Sequence, residues 1–366
     1  MKVLICSTAD FSTGSGSGVR GRLICEGLHH HGVKICVVSN KVPTYFEALG
    51  MEFYSAESGY ENALNNATCN FKPDIIYGIT EGLADIVTRI AKKYGCALAF
   101  DMHGIGLIEI WELGNGYGSR LSRMWDSARW LNSMRKADVI TVLSPTIIPI
   151  AKKYYRNVVP VIGMTDITHF SPDGIIQKLS NNENLTQVLY AGNYYKWQGV
   201  DLLFEVMEIL LNDNFEFTLL GSIGRTNQFL ERWQHIVEND KVHLIDSVDY
   251  LMVQQYYRGA DITVIPRKFM WSTHLALPQK MSDCMASGCT IVATNLIPHQ
   301  WALSEPKSGI LCDPNVQSLT QGLKQAQDKE LSKFLAHNAR LEAEKRFDHF
   351  KQTKAILEVF ESIIDR

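Results

Sequence analysis

The chain has 366 residues, 46% of them hydrophobic and 20% charged, enough to bury cores in two domains and too apolar for a disordered polymer. A formal net charge of -3 argues against nucleic acid as the main partner. No window approaches the ~18 uninterrupted apolar residues of a membrane span, and the opening MKVLIC is shorter than the apolar centre of a signal peptide, so the expected location is cytoplasmic.

The chain opens on the apolar run MKVLICSTA, then the Gly/Ser stretch DFSTGSGSG, then VRGRLICEGLHHHG, closed by a glycine. That order predicts a strand, a phosphate-type loop and a helix. KICVVS, DIIYGI, CALAFDMHG and DVITVLS follow as strands, with LADIVTRIAKKYG as a helix. Apolar strands alternating with helices predict a parallel, doubly wound sheet. The polar segment SPDGIIQKLSNNENLTQ from residue 171 reads as a linker. A second series then runs through QVLYAGN, FEFTLLGS, KVHLID, DITVIP and TIVATN as strands, with helices between them. The expected domains are 1–170, 171–345 and a terminal helix over 346–366 that packs across the junction, its apolar side formed by Ile356, Leu357, Phe360, Ile363 and Ile364. In this fold class ligands bind at the carboxyl ends of the strands.

The eight cysteines, Cys6, Cys25, Cys36, Cys69, Cys96, Cys284, Cys289 and Cys312, form no CxxC pair and are expected as free thiols. His29, His30 and His31 close a helix before Gly32, which fits C-terminal dipole complementation better than a metal site. The first half carries a slight excess of basic residues and the remainder is acidic, so an anionic surface or substrate is favoured on the first half.

YAGNYYKWQGVDLL, LLGS, YYRGADITVIPR and PQKMSDCMASGCTIVATN, in that order and spacing, resemble the carboxyl domain of family 4 retaining glycosyltransferases, in the subgroup with YQG and PLK variants of these blocks. The opening strand, its glycine-rich loop and the strand-end His103 resemble the same family's amino domain. The resemblance implies an α/β protein of the GT-B fold, two Rossmann-like doubly wound parallel-sheet domains facing a central cleft. The first domain would hold the acceptor and the second the nucleotide sugar. It further implies a metal-independent hexosyltransferase with retention of configuration, in which the acceptor attacks from the front face as the diphosphate leaves. No cofactor is expected, since the nucleotide sugar is a substrate, and no metal: Asp101, Met102 and His103 lead into a glycine and not a second carboxylate. A UDP-sugar is the first expectation and GDP-mannose the second. The acceptor would be a glycan or a lipid-linked hydroxyl in polysaccharide or glycolipid assembly.

The family pattern carries over residue by residue. Asp283 stands where a carboxylate bonds the donor's ribose hydroxyls, although the family commonly has the longer Glu; two adjacent hydroxyls suit one carboxylate. Lys280, three residues earlier and so on the same helical face as Asp283, and Arg267, just past DITVIP, are diphosphate clamp candidates, for guanidinium and ammonium groups stabilise the charge of a leaving phosphate. Each has an alternative as an ordinary surface cation. Asn193 and Gln198 stand where the family has Arg and Lys, so the clamp must come from Lys196, Arg267 or Lys280. Thr273 replaces the family's first acidic residue. Ser247 and Val248 are expected near the base.

Gly16, Ser17 and Gly18 precede a helix, whose amides and positive end suit donor phosphates; the glycines at 14, 16, 18 and 21 do not fit a dinucleotide frame, and Ser39 and Asn40 stand where a ribose acid would be. His103 is expected to orient the acceptor or stabilise charge, against a structural histidine. The catalytic set is therefore His103, Arg267 and Lys280. Residues 119–136 interleave Arg120, Arg123, Arg129, Arg135 and Lys136 with Trp125, Trp130 and Met134, a pattern shared by a membrane-surface helix and an ordinary amphipathic one. Two competing functions stay open. The uncharged Asn193 and Gln198 motivate a non-catalytic scaffold or partner protein. Asp10, Glu81 and Asp101, at or after strand ends, motivate a nucleotide-sugar epimerase or hydrolase.

Overall fold

A computed structural model describes residues 1–113, 117–304 and 307–365. The chain divides into two compact units, Met1–Met164 with His349–Arg366, and Thr165–Asp348. The change of unit thus falls after Met164 instead of at residue 171. The polar stretch from Ser171 is tied onto the second unit: Arg258 donates to the carbonyls of Ser171 at 2.7 Å and Ile175 at 3.0 Å.

The first unit is built on seven strands: β1 (Lys2–Ser7), β2 (Lys34–Ser39), β3 (Glu52–Ser55), β4 (Ile75–Ile79), β5 (Ala97–Met102), β6 (Val139–Val142) and β7 (Val158–Pro160), in the order β3-β2-β1-β4-β5-β6-β7. All its pairings are parallel, with Val3 between Ile35 and Ile75. Parallel sheets are covered on both faces, so β1 and β4 show continuous apolar runs instead of alternation. The second unit repeats the plan with β8 (Thr186–Ala191), β9 (Phe215–Leu220), β10 (Val242–Ile245), β11 (Ile262–Ile265), β12 (Thr290–Thr294) and β13 (Ile310–Cys312), ordered β10-β9-β8-β11-β12-β13 and again all parallel. In each sheet the strand order reverses beside the first strand, between β1 and β4 and between β8 and β11. Those two switch points are where such sheets bind ligands.

The periodicity misses β3, β7 and β13. They are edge strands of three or four residues, and β3 is mostly exposed, so neither length nor burial leaves a pattern to read. The helix Gly16–His30 ends as the sequence implies: His29 and His30 occupy its last turn and Gly32 has φ +82°. The last helix, His349–Ile364, packs on Gly16–His30 within the first unit; Ile356 and Phe360 are wholly buried and Ile364 is exposed. Gly27 makes the approach close, since a Cβ there would lie 2.2 Å from Thr353 Oγ1. All eight cysteines are free, and six of them, Cys6, Cys25, Cys36, Cys284, Cys289 and Cys312, are buried. No helix among the described residues is long and apolar enough to cross a membrane.

Candidate functional sites

In the first unit the chemistry gathers at the carboxyl ends of β1, β4 and β5. The glycine-rich loop is shaped by Asp10, whose carboxylate takes the Ser12 amide at 2.8 Å and hydroxyl at 2.5 Å, and by Ser15, which caps the helix by accepting the Gly18 amide at 3.2 Å. Gly18 must lack a side chain: a Cβ would sit 2.3 Å from the Asp10 carbonyl. The loop therefore brings Ser17, in the first turn of the helix, to His103, with Oγ 3.1 Å from Nδ1.

The other face of the His103 ring is fixed by Asp101. That carboxylate, fully buried at the end of β5, lies 2.6 Å from His103 Nε2. It also takes Arg20 Nε at 2.6 Å and Nη2 at 2.9 Å, and the Thr141 hydroxyl at 2.6 Å. Burial alone would raise the Asp101 pKa, but the charges and hydrogen bonds of Arg20 and His103 outweigh it and hold the carboxyl well below the usual range. Glu81, past β4, behaves in the opposite way. It accepts the Ser127 hydroxyl at 2.6 Å, and burial pushes its pKa up to about 7. Asp10, Asp101 and Glu81, the acids that motivate an epimerase or hydrolase, are thus each engaged with neighbours of the same unit.

In the second unit Lys280, on the helix Gln279–Ala286, reaches back to the switch point. Its Nζ stands 4.5 Å over the Tyr190 ring and 3.2 Å from Gln198 Oε1. Gly192 leaves the room for it, because a Cβ there would lie 2.4 Å from Nζ. The Tyr190 hydroxyl donates to the Asn193 carbonyl at 2.5 Å, so the ring under the ammonium is locked. Desolvation first, and the neighbouring Arg267 guanidinium second, push the Lys280 pKa down to about 7. Arg267, 7% exposed, donates to the Ala276 carbonyl at 2.9 Å.

His299 lies close to both cations. Its Nδ1 is 2.7 Å from the Thr294 carbonyl and so carries the proton, and burial with the Arg267 charge pushes its pKa down to about 3. The ring is neutral. At the sheet's carboxyl edge the Arg267 guanidinium thus disfavours the charged form of Lys280, a cost an anion would relieve.

The remaining expected residues divide. Asn193 and Lys196 lie in the turn after β8 that carries Gln198. Ser247, past β10, faces Ser222 past β9 with the two hydroxyls 3.4 Å apart, and Val248 follows it. Asp283 is placed differently from Lys280 despite the three-residue spacing. Its Oδ1 accepts from the Thr165 hydroxyl at 2.8 Å and Gln279 Nε2 at 3.0 Å, its Oδ2 from the Tyr250 hydroxyl at 3.0 Å, and it is 3% exposed. Thr273 is fully buried; its hydroxyl lies 2.7 Å from the Lys268 carbonyl and accepts the Met270 amide at 3.0 Å.

Sequence reasoning takes Gln198 only as a lost lysine and does not single out Tyr190, His299 or Arg20. Gln198 is the acceptor that holds Lys280, and Tyr190 is the tyrosine of the YAG block itself. Arg20 and His299 carry no such signal, since a helix arginine or a helix histidine reveals its partner only in three dimensions.

The description "Glycosyl transferases group 1" matches residues 186–328, which are most of the second unit. The chain is 27% identical to a glycogen synthase of Petrotoga mobilis over 93 residues, 25% of this chain and 19% of that protein, so it spans about a fifth of that relative's length. It is 22% identical to an uncharacterized glycosyltransferase of Methanocaldococcus jannaschii over 275 residues, 72% of this chain and 67% of that one. Among solved structures, Anabaena HepE in complex with UDP-glucose superposes with a TM-score of 0.77 at 13% identity, covering 99% of this chain and 100% of that one. The group 1 match lies on the second unit, and the two-sheet architecture, matched from end to end, is that of the GT-B fold.

Proposed function

We propose that the protein transfers a sugar from a nucleoside diphosphate to a hydroxyl acceptor, with the donor held by the second unit and the acceptor by the first. The observation that carries this reading is Lys280 held over the Tyr190 ring and against Gln198 at the β8/β11 switch point, where the Arg267 guanidinium disfavours its charge. A diphosphate supplies the opposite charge, and the same two cations stabilise it as it leaves. In this reading Asn193 and Lys196 contribute to donor binding, Ser247 and Val248 meet the base, and the amides of Gly16, Ser17 and Gly18 are a second donor set for phosphate oxygens. Asp283 and Thr273 are engaged with neighbours of their own. The donor's ribose would meet Asp283 by displacing Tyr250 or Gln279 from it, and Thr273 acts on the donor through the loop it closes.

The reaction proceeds with retention and without a metal, and UDP-glucose is the first donor to try, since the solved relative holds it; GDP-mannose is the second. The acceptor is a glycan or a lipid-linked hydroxyl in polysaccharide or glycolipid assembly. Peripheral attachment to the inner membrane face is part of the same reading. Trp125 is 75% exposed and Leu121 49%, with Arg123 between them in sequence and Arg120 stacked on Trp111 at 5.9 Å. The pattern suits an anionic lipid surface. Arg129 is partly neutralised by Asp85 and Asp126.

The test is a thermal-shift panel of UDP, GDP, ADP and their sugars with chelator present, followed by product analysis by NMR at the anomeric carbon. A midpoint raised by one nucleoside diphosphate, abolished in Lys280→Met, supports the reading. No shift from any nucleotide overturns it. Failure to co-sediment with anionic vesicles at low salt removes the membrane part alone.

A further inference from the structure

Asp283 is the carboxylate that the sugar-transfer reading gives to the donor's ribose, yet it is 3% exposed and both of its oxygens already accept hydrogen bonds. No ribose hydroxyl reaches it until a neighbour moves. The two oxygens are held differently. Oδ1 takes the Thr165 hydroxyl at 2.8 Å and Gln279 Nε2 at 3.0 Å. Thr165 is fully buried, its amide donates to the Phe347 carbonyl at 2.8 Å and it pairs with Asp348, so it is fixed through backbone and side chain alike. Gln279 stands one turn before Asp283 on the same helix. Oδ2 takes the Tyr250 hydroxyl at 3.0 Å. Tyr250 is half-buried and opens the short turn Tyr250–Met252. The backbone of that turn is pinned, for Asp249 accepts the Leu251 amide at 2.8 Å and His169 Nε2 donates to the Leu251 carbonyl at 2.9 Å. The Tyr250 ring leans on the buried Phe170, with centroids 5.2 Å apart. With the turn fixed and Tyr250 partly open to solvent, the group on Asp283 that can leave is the Tyr250 side chain.

We propose that Tyr250 gates the ribose carboxylate: its hydroxyl occupies Asp283 Oδ2 in the free protein and gives way to the ribose of a bound nucleoside diphosphate. The inference rests on the sugar-transfer reading. An ionised carboxylate only accepts, so the tyrosine hydroxyl and the ribose hydroxyls compete for the same lone pairs. Tyr250 follows Ser247 and Val248 in the loop past β10, and Lys280 lies on the helix of Asp283, three residues before it. A nucleotide with its base on the first pair and its diphosphate on Lys280 therefore brings its ribose to the contact between Tyr250 and Asp283. Released from Tyr250, Oδ2 offers two acceptor positions to a vicinal diol. Exchange of one hydroxyl for another gains nothing by itself, so the net gain comes from the second ribose hydroxyl, and the gate favours an intact ribose. The apparent affinity for such a ligand is lowered by the fraction of molecules in which the gate stands open. A ligand without ribose hydroxyls has no use for Asp283 and is indifferent to the gate.

Titration calorimetry on the full chain tests this with UDP, GDP, the 2′,3′-dideoxy form of each, and inorganic pyrophosphate. Wild type is compared with Tyr250→Phe, which keeps the ring on Phe170 and removes only the hydroxyl, and with Asp283→Asn. Tyr250→Phe is expected to bind the ribonucleoside diphosphate about threefold to tenfold more tightly, while the dideoxy forms and pyrophosphate change by less than about twofold. Asp283→Asn is expected to abolish the preference for ribose over dideoxyribose, with or without Tyr250→Phe. Unchanged or weaker binding of the ribonucleotide by Tyr250→Phe overturns the gate, and so does equal tightening of every ligand. A ribose preference that survives Asp283→Asn overturns it as well, independently of how Tyr250→Phe folds. If wild type binds none of these ligands, the sugar-transfer reading falls and the gate with it; if wild type binds a ribonucleotide that Tyr250→Phe does not hold more tightly, the gate alone falls.

Discussion

Arg20 and Asp101 are joined by two nearly parallel hydrogen bonds, of 2.6 and 2.9 Å, in a place where neither side chain meets water. One arises in the first helix and the other at the end of β5, so the pair staples the glycine-rich loop's helix to the middle of the first sheet.

Breaking that pair is predicted to cost far more than forming it gains, because either partner alone is a buried charge. Arg20→Ala should lower the stability of the first unit by roughly 3–5 kcal/mol, measured by denaturant unfolding followed through a probe in that unit. Arg20→Ala with Asp101→Ala should recover much of the loss. The acid dependence has a definite sign. The folded-state pKa of Asp101 is depressed below its ordinary 3.8, so its stabilisation is complete above about pH 4 and disappears as the pH falls further. A double variant as unstable as Arg20→Ala would refute the buried-charge account.

Lys280 gives a prediction in the opposite direction. With its pKa pushed down to about 7, the side chain is charged below neutrality and increasingly neutral above it. A bound diphosphate favours the charged form, so affinity for a nucleoside diphosphate should fall as pH rises from about 7 to 9, by at most tenfold per unit. Titration calorimetry in buffers of different ionisation enthalpy should show proton uptake in that range. In Lys280→Met the affinity should be lower and the dependence lost. A wild-type affinity flat across that range would remove Lys280 from the diphosphate site.

What the sequence makes legible follows from how local each signal is. Both sheets are readable because a strand covered on both faces is an unbroken apolar run, as in KVLICS or IIYGI. Lys280 and Arg267 are readable because they lie in blocks resembling a known family. The partners of Asp283 are not, for Thr165 and Tyr250 are far from it in sequence, and only folding reveals that its oxygens already hold three donors. The Asp101–His103 contact spans two residues and still escapes a pattern search, because its meaning depends on Ser17 and Arg20, more than eighty positions away.

The packing of the last helix on the first can be tested at one glycine. A Cβ on residue 27 would meet Thr353 Oγ1 at 2.2 Å and Cγ2 at 2.6 Å, closer than any packed side chains come. Gly27→Ala should gain helix propensity and nevertheless destabilise the first unit by ~1–3 kcal/mol through overpacking. Thr353→Ala in the same chain removes the obstructing atoms and should restore most of it. If Gly27→Ala alone stabilises the chain, the two helices do not lie as close as described.

His299 sets the acid behaviour of the second unit. Its ring is wholly buried with Nδ1 on the Thr294 carbonyl, and burial with Arg267 brings the pKa from 6.5 to about 3. The unfolded chain therefore binds a proton that the folded chain refuses. The neutral ring's stabilisation is complete above about pH 6.5 and declines as the pH falls toward 3, by up to ~1.4 kcal/mol per unit. That window opens more than two units above the one governed by Asp101, so acidification should loosen the second unit first. Hydrogen exchange followed by mass spectrometry at pH 5 should show faster exchange in β11 and β12 than in β1 and β5. His299→Gln keeps a donor for the Thr294 carbonyl but cannot take up a proton, and it should flatten the dependence between pH 6.5 and 4. Retention of the wild-type slope in that variant would place the proton-sensitive group elsewhere.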